Sequence, residues 1–187
     1  MSQRFVRHWI ALTLVASVAA ALDGGWIARW AALAPARIWH GEVWRLVTWP
    51  LVETGVMPLV FTCAAIYKFG GELAERWGDP RLFRFVRHIV LSAAVVTCIV
   101  GVIPGLGYVH RLGGWAITDA LVIAWARQFS DRTLSLYGLV SFRGKDLVNL
   151  TIAIAVLFAI FHGPVATTPE LVACAAATLY PRSWLQR

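Results

Sequence analysis

The sequence is short of charge. Charged residues make up 14% of its 187 positions, where a soluble domain carries about 25%. Acids are the scarcer sign, with ten Asp and Glu against 17 Lys and Arg. So few charges cannot coat a water-facing globule, which excludes a soluble fold. Cysteine is scarce as well. Cys63, Cys98 and Cys174 each lie inside an apolar run, which excludes a disulfide framework or a cysteine metal cluster and leaves small packed side chains. Long polar linkers and internal repeats are missing too, so residues 1–187 read as a single domain. No metal site and no cofactor are expected.

What is there is apolar. Hydrophobic types fill 59% of the chain and mean hydropathy is +0.66. The surplus reads as six apolar segments: Phe5–Leu22, Leu51–Phe69, Val86–Ile103, Leu112–Ala126, Leu147–Phe161 and Val165–Tyr180. Several fall short of the roughly 20 residues an upright helix needs to cross hydrocarbon. Such spans imply a thinned bilayer, snorkelling ends or burial within a bundle. The first segment has a basic start, yet reads as a retained helix because later spans continue the charge pattern.

The cations fix the orientation. With the N-terminus cytoplasmic, 13 of the 17 Lys and Arg face inward, and only Arg29, Arg37, Arg45 and Arg111 face outward. That bias is the positive-inside pattern. Both termini are therefore expected in the cytoplasm, and the setting is expected to be a bacterial inner membrane. The net charge of +7 is spent on topology, so no nucleic-acid partner is expected; the partner is the lipid bilayer.

The connection from Asp23 to Pro50 is long for a helix hairpin. It carries Trp26, Trp30, Trp39, Trp44 and Trp49. The expectation is an interfacial loop with its indole rings at the headgroup level.

Two stretches resemble a known family. The loop ends in His40-Gly41-Glu42-Val43-Trp44-Arg45-Leu46-Val47-Thr48-Trp49-Pro50. The second apolar segment ends in Phe69-Gly70-Gly71-Glu72-Leu73-Ala74-Glu75-Arg76-Trp77-Gly78-Asp79-Pro80-Arg81. The first is similar to the G-x-x-W-R-L-x-T stretch in the first loop of the rhomboid superfamily. The second is similar to the F-G-x-x-L and W-G-x-x-R signature after its second span. Gly138 to Lys145 also looks like the linker before the fifth rhomboid helix. The resemblance implies an all-α membrane protein, a six-transmembrane-helix bundle with an interfacial first loop.

It also implies where chemistry would sit, because rhomboids are intramembrane serine proteases. A serine needs a hydrogen-bonded base, and its tetrahedral oxyanion needs aimed donors. The serine position falls on Trp115 or Ala116. The base falls in the region Thr167 to Glu170, and no histidine occurs between Val165 and Arg187. The oxyanion donors fall on Pro58 and Thr62. The resemblance thus implies a catalytically inactive member, a pseudoprotease. It would bind transmembrane segments of client membrane proteins and affect their stability or traffic. Two alternatives stand beside it: a divergent intramembrane serine-type endopeptidase using Thr118 with Asp119 or His162, and a small transporter or channel with Asp119 on its path. His88 and Ser92 share a helix face but sit at the cytoplasmic end.

Asp119 is the main polar candidate, since a carboxylate within a span costs about 2.5–3.5 kcal/mol. Trp44 and Arg45 are expected to order the loop, Arg45 through loop carbonyls or a lipid phosphate. Gly70, Gly71, Glu75, Trp77, Gly78 and Arg81 are expected to build the turn after the second span, with Glu75 and Arg81 paired. Thr168 is expected to cap the sixth helix and Glu170 to favour its N-terminal dipole.

Overall fold

In the computed structural model the chain is described over residues 3–103, 110–136 and 140–181. Arg182, Arg187 and positions 138–139 of the expected linker lie outside these residues. Among the described residues the fold is all-α apart from one pair of short strands, Thr133–Leu136 and Val140–Arg143. Helix α1 spans Arg4–Leu22. Three short helices follow, α2 (Trp26–Ala31), α3 (Pro35–Trp39) and α4 (Arg45–Thr48), then a 3-10 turn at Trp49–Leu51. Helix α5 (Val56–Ala65) runs through a π-helical turn, Ile66–Gly70, into α6 (Gly71–Trp77). Then come α7 (Asp79–Val100), α8 (Trp115–Gln128), α9 (Gly144–His162) and α10 (Thr168–Leu179).

The helices bury the wrong residues for water and the right ones for lipid. On α1 the buried stripe is Val6, Trp9, Thr13, Ser17 and Ala20, while Leu12, Leu14, Val15 and Val18 face out. On α9 the buried residues are Gly144, Thr151 and Ala155, while Leu157, Phe158, Ile160 and Phe161 face out. Small and hydroxylated residues at helix contacts, with bulky aliphatics outward, are what packing in a bilayer selects. Four helical stretches are long and apolar enough to cross a membrane: Arg4–Leu22, Val56–Trp77, Asp79–Val100 and Gly144–His162. The other two expected segments form α8 and α10, of 14 and 12 residues. At 1.5 Å per residue they are about 21 and 18 Å long, less than a hydrocarbon core of about 30 Å. For α8 the reason is its place. It packs on α5, α7, α9 and α10, and Ala116, Ile117, Ala120, Leu121, Ile123 and Ala124 are all buried. A helix surrounded by helices need not match the lipid.

Contacts between element ends show an alternating path. At one end Phe5 N donates to Asp79 Oδ2 (3.3 Å), Trp77 Nε1 to Gln128 Oε1 (3.1 Å) and Arg127 Nη1 to Tyr180 O (3.0 Å). At the opposite end Glu53 N donates to Ser17 Oγ (2.9 Å), Leu33 bridges Arg111, and Arg111 Nη2 donates to Val165 O (2.9 Å).

Several expectations need correction. Gly70 and Gly71 are not in a turn. The helix passes through them, and the reversal is made at Gly78, whose φ of +82° an L side chain rarely adopts. The third apolar segment begins a full two turns earlier than hydropathy showed, because Pro80 and Asp79 open α7. Trp49 is not interfacial. It is 1% exposed and belongs to the main core. No strand was expected, yet Thr133–Leu136 pairs antiparallel with Val140–Arg143, in register Thr133↔Arg143 to Leu136↔Val140. Within the linker expected at Gly138 to Lys145, Val140–Arg143 form the second strand, and Gly144 and Lys145 begin α9.

Candidate functional site

Two carboxylate centres occupy the end of the bundle opposite the described N-terminal residue, and they differ in how they are held. The first is Glu53, 6% exposed. Its Oε1 accepts from Thr62 Oγ1 (2.7 Å) and from the Gly114 backbone N–H (2.7 Å), while its own N–H bonds Ser17 Oγ. One side chain so joins the segment before α5, α5 itself and the loop entering α8, and its backbone reaches α1. Gly114 is required by closeness: a Cβ there would lie 2.6 Å from Thr62 Cγ2. Thr62, one of the two expected oxyanion positions, is thus spent on Glu53. Pro58, the other, sits in the first turn of α5, where a missing N–H costs little. It has no donor to offer.

The second centre is a cavity of about 120 Å³ between α8, α9 and α10. Trp115, Asp119, Phe158, Thr167 and Glu170 line it. The structure therefore brings the expected serine region against the expected base region. Trp115 faces the cavity; Ala116 is turned fully inward. Asp119 and Glu170 are both part-buried, Glu170 acts electrostatically on Asp119, and Arg111 acts on Glu170. Among the described residues no side chain hydrogen-bonds to either carboxylate, and Glu170 Oε2 is a buried atom without a partner. Two carboxyl groups facing one cavity are hydrogen-bond acceptors, which suit a cation or a strong donor. The Thr167 hydroxyl that lines the cavity donates to Gly163 O (3.2 Å).

The improvised catalytic groups do not assemble. Thr118 Oγ1 is buried without a hydrogen-bond partner. The His162 ring stacks on Phe158 and bonds its carbonyl (3.2 Å). Ser92 Oγ donates to Ile89 O, and the His88 ring packs against Tyr180. Thr168 does not cap α10 as expected. Its hydroxyl turns back to Pro164 O (3.0 Å), and Thr167 holds the N-cap position with no capping bond. Glu170 does lie in the first turn of α10, where the helix dipole favours an acid.

The loop motif has a defined job. Arg45 is 2% exposed. Its Nε donates to Glu42 Oε2 (2.6 Å), and its Nη1 donates to Arg29 O (2.6 Å) and Ala32 O (2.7 Å). It therefore bonds loop carbonyls and not a lipid phosphate. The Arg45 hydrogen bond holds the Glu42 carboxyl below its usual value of 4.5, with Arg37 assisting and burial opposing. Trp44 stacks on Trp30 at 5.5 Å, and Thr48 Oγ1 bonds Ala31 O (3.0 Å). At the far end the expected Glu75–Arg81 pair is not formed. Glu75 Oε1 accepts from Gln3 Nε2 (2.9 Å), which joins α6 to the start of α1.

Sequence reasoning missed Glu53. It sits inside the segment read as Leu51–Phe69, and the signal was present: an acid in an apolar run, the same sign that exposed Asp119. Arg111 was counted for topology only.

A family model described as "Eukaryotic integral membrane protein (DUF1751)" matches residues 6–185. That eukaryotic description conflicts with the bacterial inner membrane expected from the sequence. No curated protein matches the chain.

Proposed function

We propose, on the premise that this chain belongs to the DUF1751 family of eukaryotic integral membrane proteins, that it is a non-catalytic rhomboid-like protein. In this reading it crosses the bilayer six times as one domain with both termini in the cytoplasm. It holds transmembrane segments of client membrane proteins, and so affects their stability or traffic. The observation that carries the reading is the cavity at α8, α9 and α10. Where the resemblance implies that a serine and an imidazole would meet, Trp115, Asp119, Thr167 and Glu170 meet instead.

Two features support lateral client entry. The cavity lies along α9, and α9 is the least buried of the four long spans, with 17% of its window inside the protein. Its packing is chiefly on α8 and α10. A client helix beside α9 would find two carboxylates short of donors. A basic or hydrogen-bonding side chain in the client's span, itself costly in lipid, would be relieved there. Trp44, Arg45, Gly70, Glu75, Gly78 and Arg81 serve the scaffold, and Asp119 with Glu170 serves recognition.

The test is a photo-crosslinking residue at Phe158 in native membranes. Adducts should map to transmembrane segments of other proteins and should fall in an Asp119→Asn, Glu170→Gln double variant. Adducts that map only to soluble domains, or that survive the double variant unchanged, overturn the proposal. The protease alternative is tested in parallel with a fluorophosphonate probe. Labelling lost on Thr118→Ala would establish an enzyme. The transporter alternative has less support, because α8 below Asp119 is lined by buried alanines and aliphatics and offers no polar path.

A further inference from the structure

Helix α7 forms a ridge between two membrane-facing grooves. On one side, a groove of about 390 Å³ runs between α1 and α7, lined by Phe5, Trp9, Leu12, Phe83, Val90 and Leu91, with His8 and Arg87 at its rim. On the other, a wider groove of about 840 Å³ runs between α7 and α10. Leu91, Val95, Ala176 and Leu179 line it, with Arg84, Arg87 and His88 at its rim. Arg87 and Leu91 belong to both. Among the described residues no acidic side chain lines either groove.

The basic groups share one level. Phe5 N bonds Asp79 Oδ2 (3.3 Å), and the Phe5 and Phe83 rings meet edge-on at 5.5 Å, so the start of α1 lies beside the start of α7. The His88 ring reaches Tyr180, at the end of α10. Arg84, Arg87 and His88 are exposed, about one and a half to two and a half turns into α7, and the Arg87 guanidinium lies 5.9 Å from the Phe83 ring. From that level the α7–α10 groove runs to Val95, about 17 Å along the axis from Arg84, and the α1–α7 groove runs past Leu91 to Val47 and Pro50. A cationic rim above paired apolar channels has the polarity of one amphiphile. Basic pockets between spans are known acceptors of anionic lipid headgroups.

We propose that the α7 ridge is a binding site for a two-chain anionic phospholipid. The phosphate sits against Arg84, Arg87 and His88, and one acyl chain lies in each groove, on either side of Leu91. A zwitterionic lipid has the same chains but sets its own cation against the rim. A free phosphate has the charge but nothing to fill the grooves.

The experiment uses the full chain, delipidated in a neutral detergent, with thermal unfolding followed as lipid is added. Phosphatidylglycerol should raise Tm in a saturable way. Phosphatidylcholine at the same mole fraction and glycerol phosphate alone should not. An Arg84→Gln, Arg87→Gln double variant should weaken the apparent affinity about 30-fold. An Arg143→Gln, Lys145→Gln variant, at the start of α9, should keep the parental response. Equal stabilisation by phosphatidylcholine, saturation by glycerol phosphate, or an unchanged affinity in the double variant each overturns the proposal. If the double variant does not fold, Leu91→Trp keeps the charges and fills the ridge between the grooves. It should lose the response to phosphatidylglycerol, and a retained response overturns the site.

Discussion

Replacing Gly114 by alanine sets a methyl group 2.6 Å from Thr62 Cγ2 and 3.1 Å from Glu53 Oε1. The backbone there, with φ −87°, accepts any residue, so the whole penalty is contact. Overpacking of a well-filled site costs about 1–3 kcal/mol. Pushing Thr62 and Glu53 away also lengthens two 2.7 Å hydrogen bonds. Hydrogen bonds inside membrane proteins average about 0.6 kcal/mol, and those to charged groups reach about 1.5–3. A loss of about 3 kcal/mol is expected for Gly114→Ala. Thr62→Ser removes the offending methyl and keeps the hydroxyl that Glu53 accepts; alone it costs about 1 kcal/mol, one buried methyl. Together the two should cost about 2 kcal/mol and not the additive 4, because the serine makes room for the new methyl. Unfolding by SDS in mixed micelles reads all four proteins on one scale. Additivity would refute the claim that Thr62 and Gly114 are packed against each other around Glu53. Should Gly114→Ala fail to fold alone, recovery of folding on adding Thr62→Ser becomes the readout, and failure to recover refutes the same claim.

Arg45→Lys should cost about 3 kcal/mol in the same assay, because an ammonium cannot span Glu42, Arg29 O and Ala32 O together and leaves a buried carbonyl unmet. Parental stability in Arg45→Lys would mean that the loop is held by its indoles alone. Glu42 gives a pH dependence. Its folded carboxyl titrates below 4.5, so its contribution is full above that value and is lost as pH falls through the lowered one. The Tm difference between the parent and Glu42→Gln should therefore be present near neutrality and vanish in acid. A difference that widens in acid contradicts the assignment.

How much of this was legible in the chain depended on the physical signal each feature leaves. Lipid as the solvent was plain from charge scarcity, and the loop's order was plain from Trp44 and Arg45, because a buried guanidinium needs acceptors wherever it is placed. Asp119 stood out as an acid in an apolar run, and Glu170 read as an acid favouring the N-terminal dipole of the sixth helix. Their meeting across one cavity needed α8 and α10 to be packed side by side, which no local pattern states. Trp49 read as interfacial because indoles favour that level, and tertiary packing overrode the preference. The continuation of the helix through Gly70 and Gly71 was hidden for the opposite reason: a Gly pair reads as a break, yet a Cβ at Gly70 would meet only ordinary contacts near 3.8 Å with Ile66 and Leu121. The helix loses propensity there without losing space. The strands Thr133–Leu136 and Val140–Arg143 left a period-2 trace in Thr-Leu-Ser-Leu and Val-Ser-Phe-Arg, too short to compete with the helical segments around them.

The contrast between the two acid centres carries the functional argument. A carboxylate in a bundle is costly, so each must be compensated or used. Glu53 is compensated: a hydroxyl and a backbone N–H aim at one oxygen, and the residue is all but sealed from the surroundings. Exchanging it for glutamine should change stability and leave client capture at Phe158 intact in whatever protein folds. Asp119 and Glu170 are not compensated in that way. Among the described residues they share a cavity beside the loosest long helix, without a side-chain donor to either. Exchanging them for amides removes charge from a pair of mutually opposed acids, which should leave the fold as stable or more so and reduce capture. Opposite effects of the two exchanges, stability without capture at Glu53 and capture without stability at Asp119 and Glu170, are what a scaffold acid and a recognition pair require of one another.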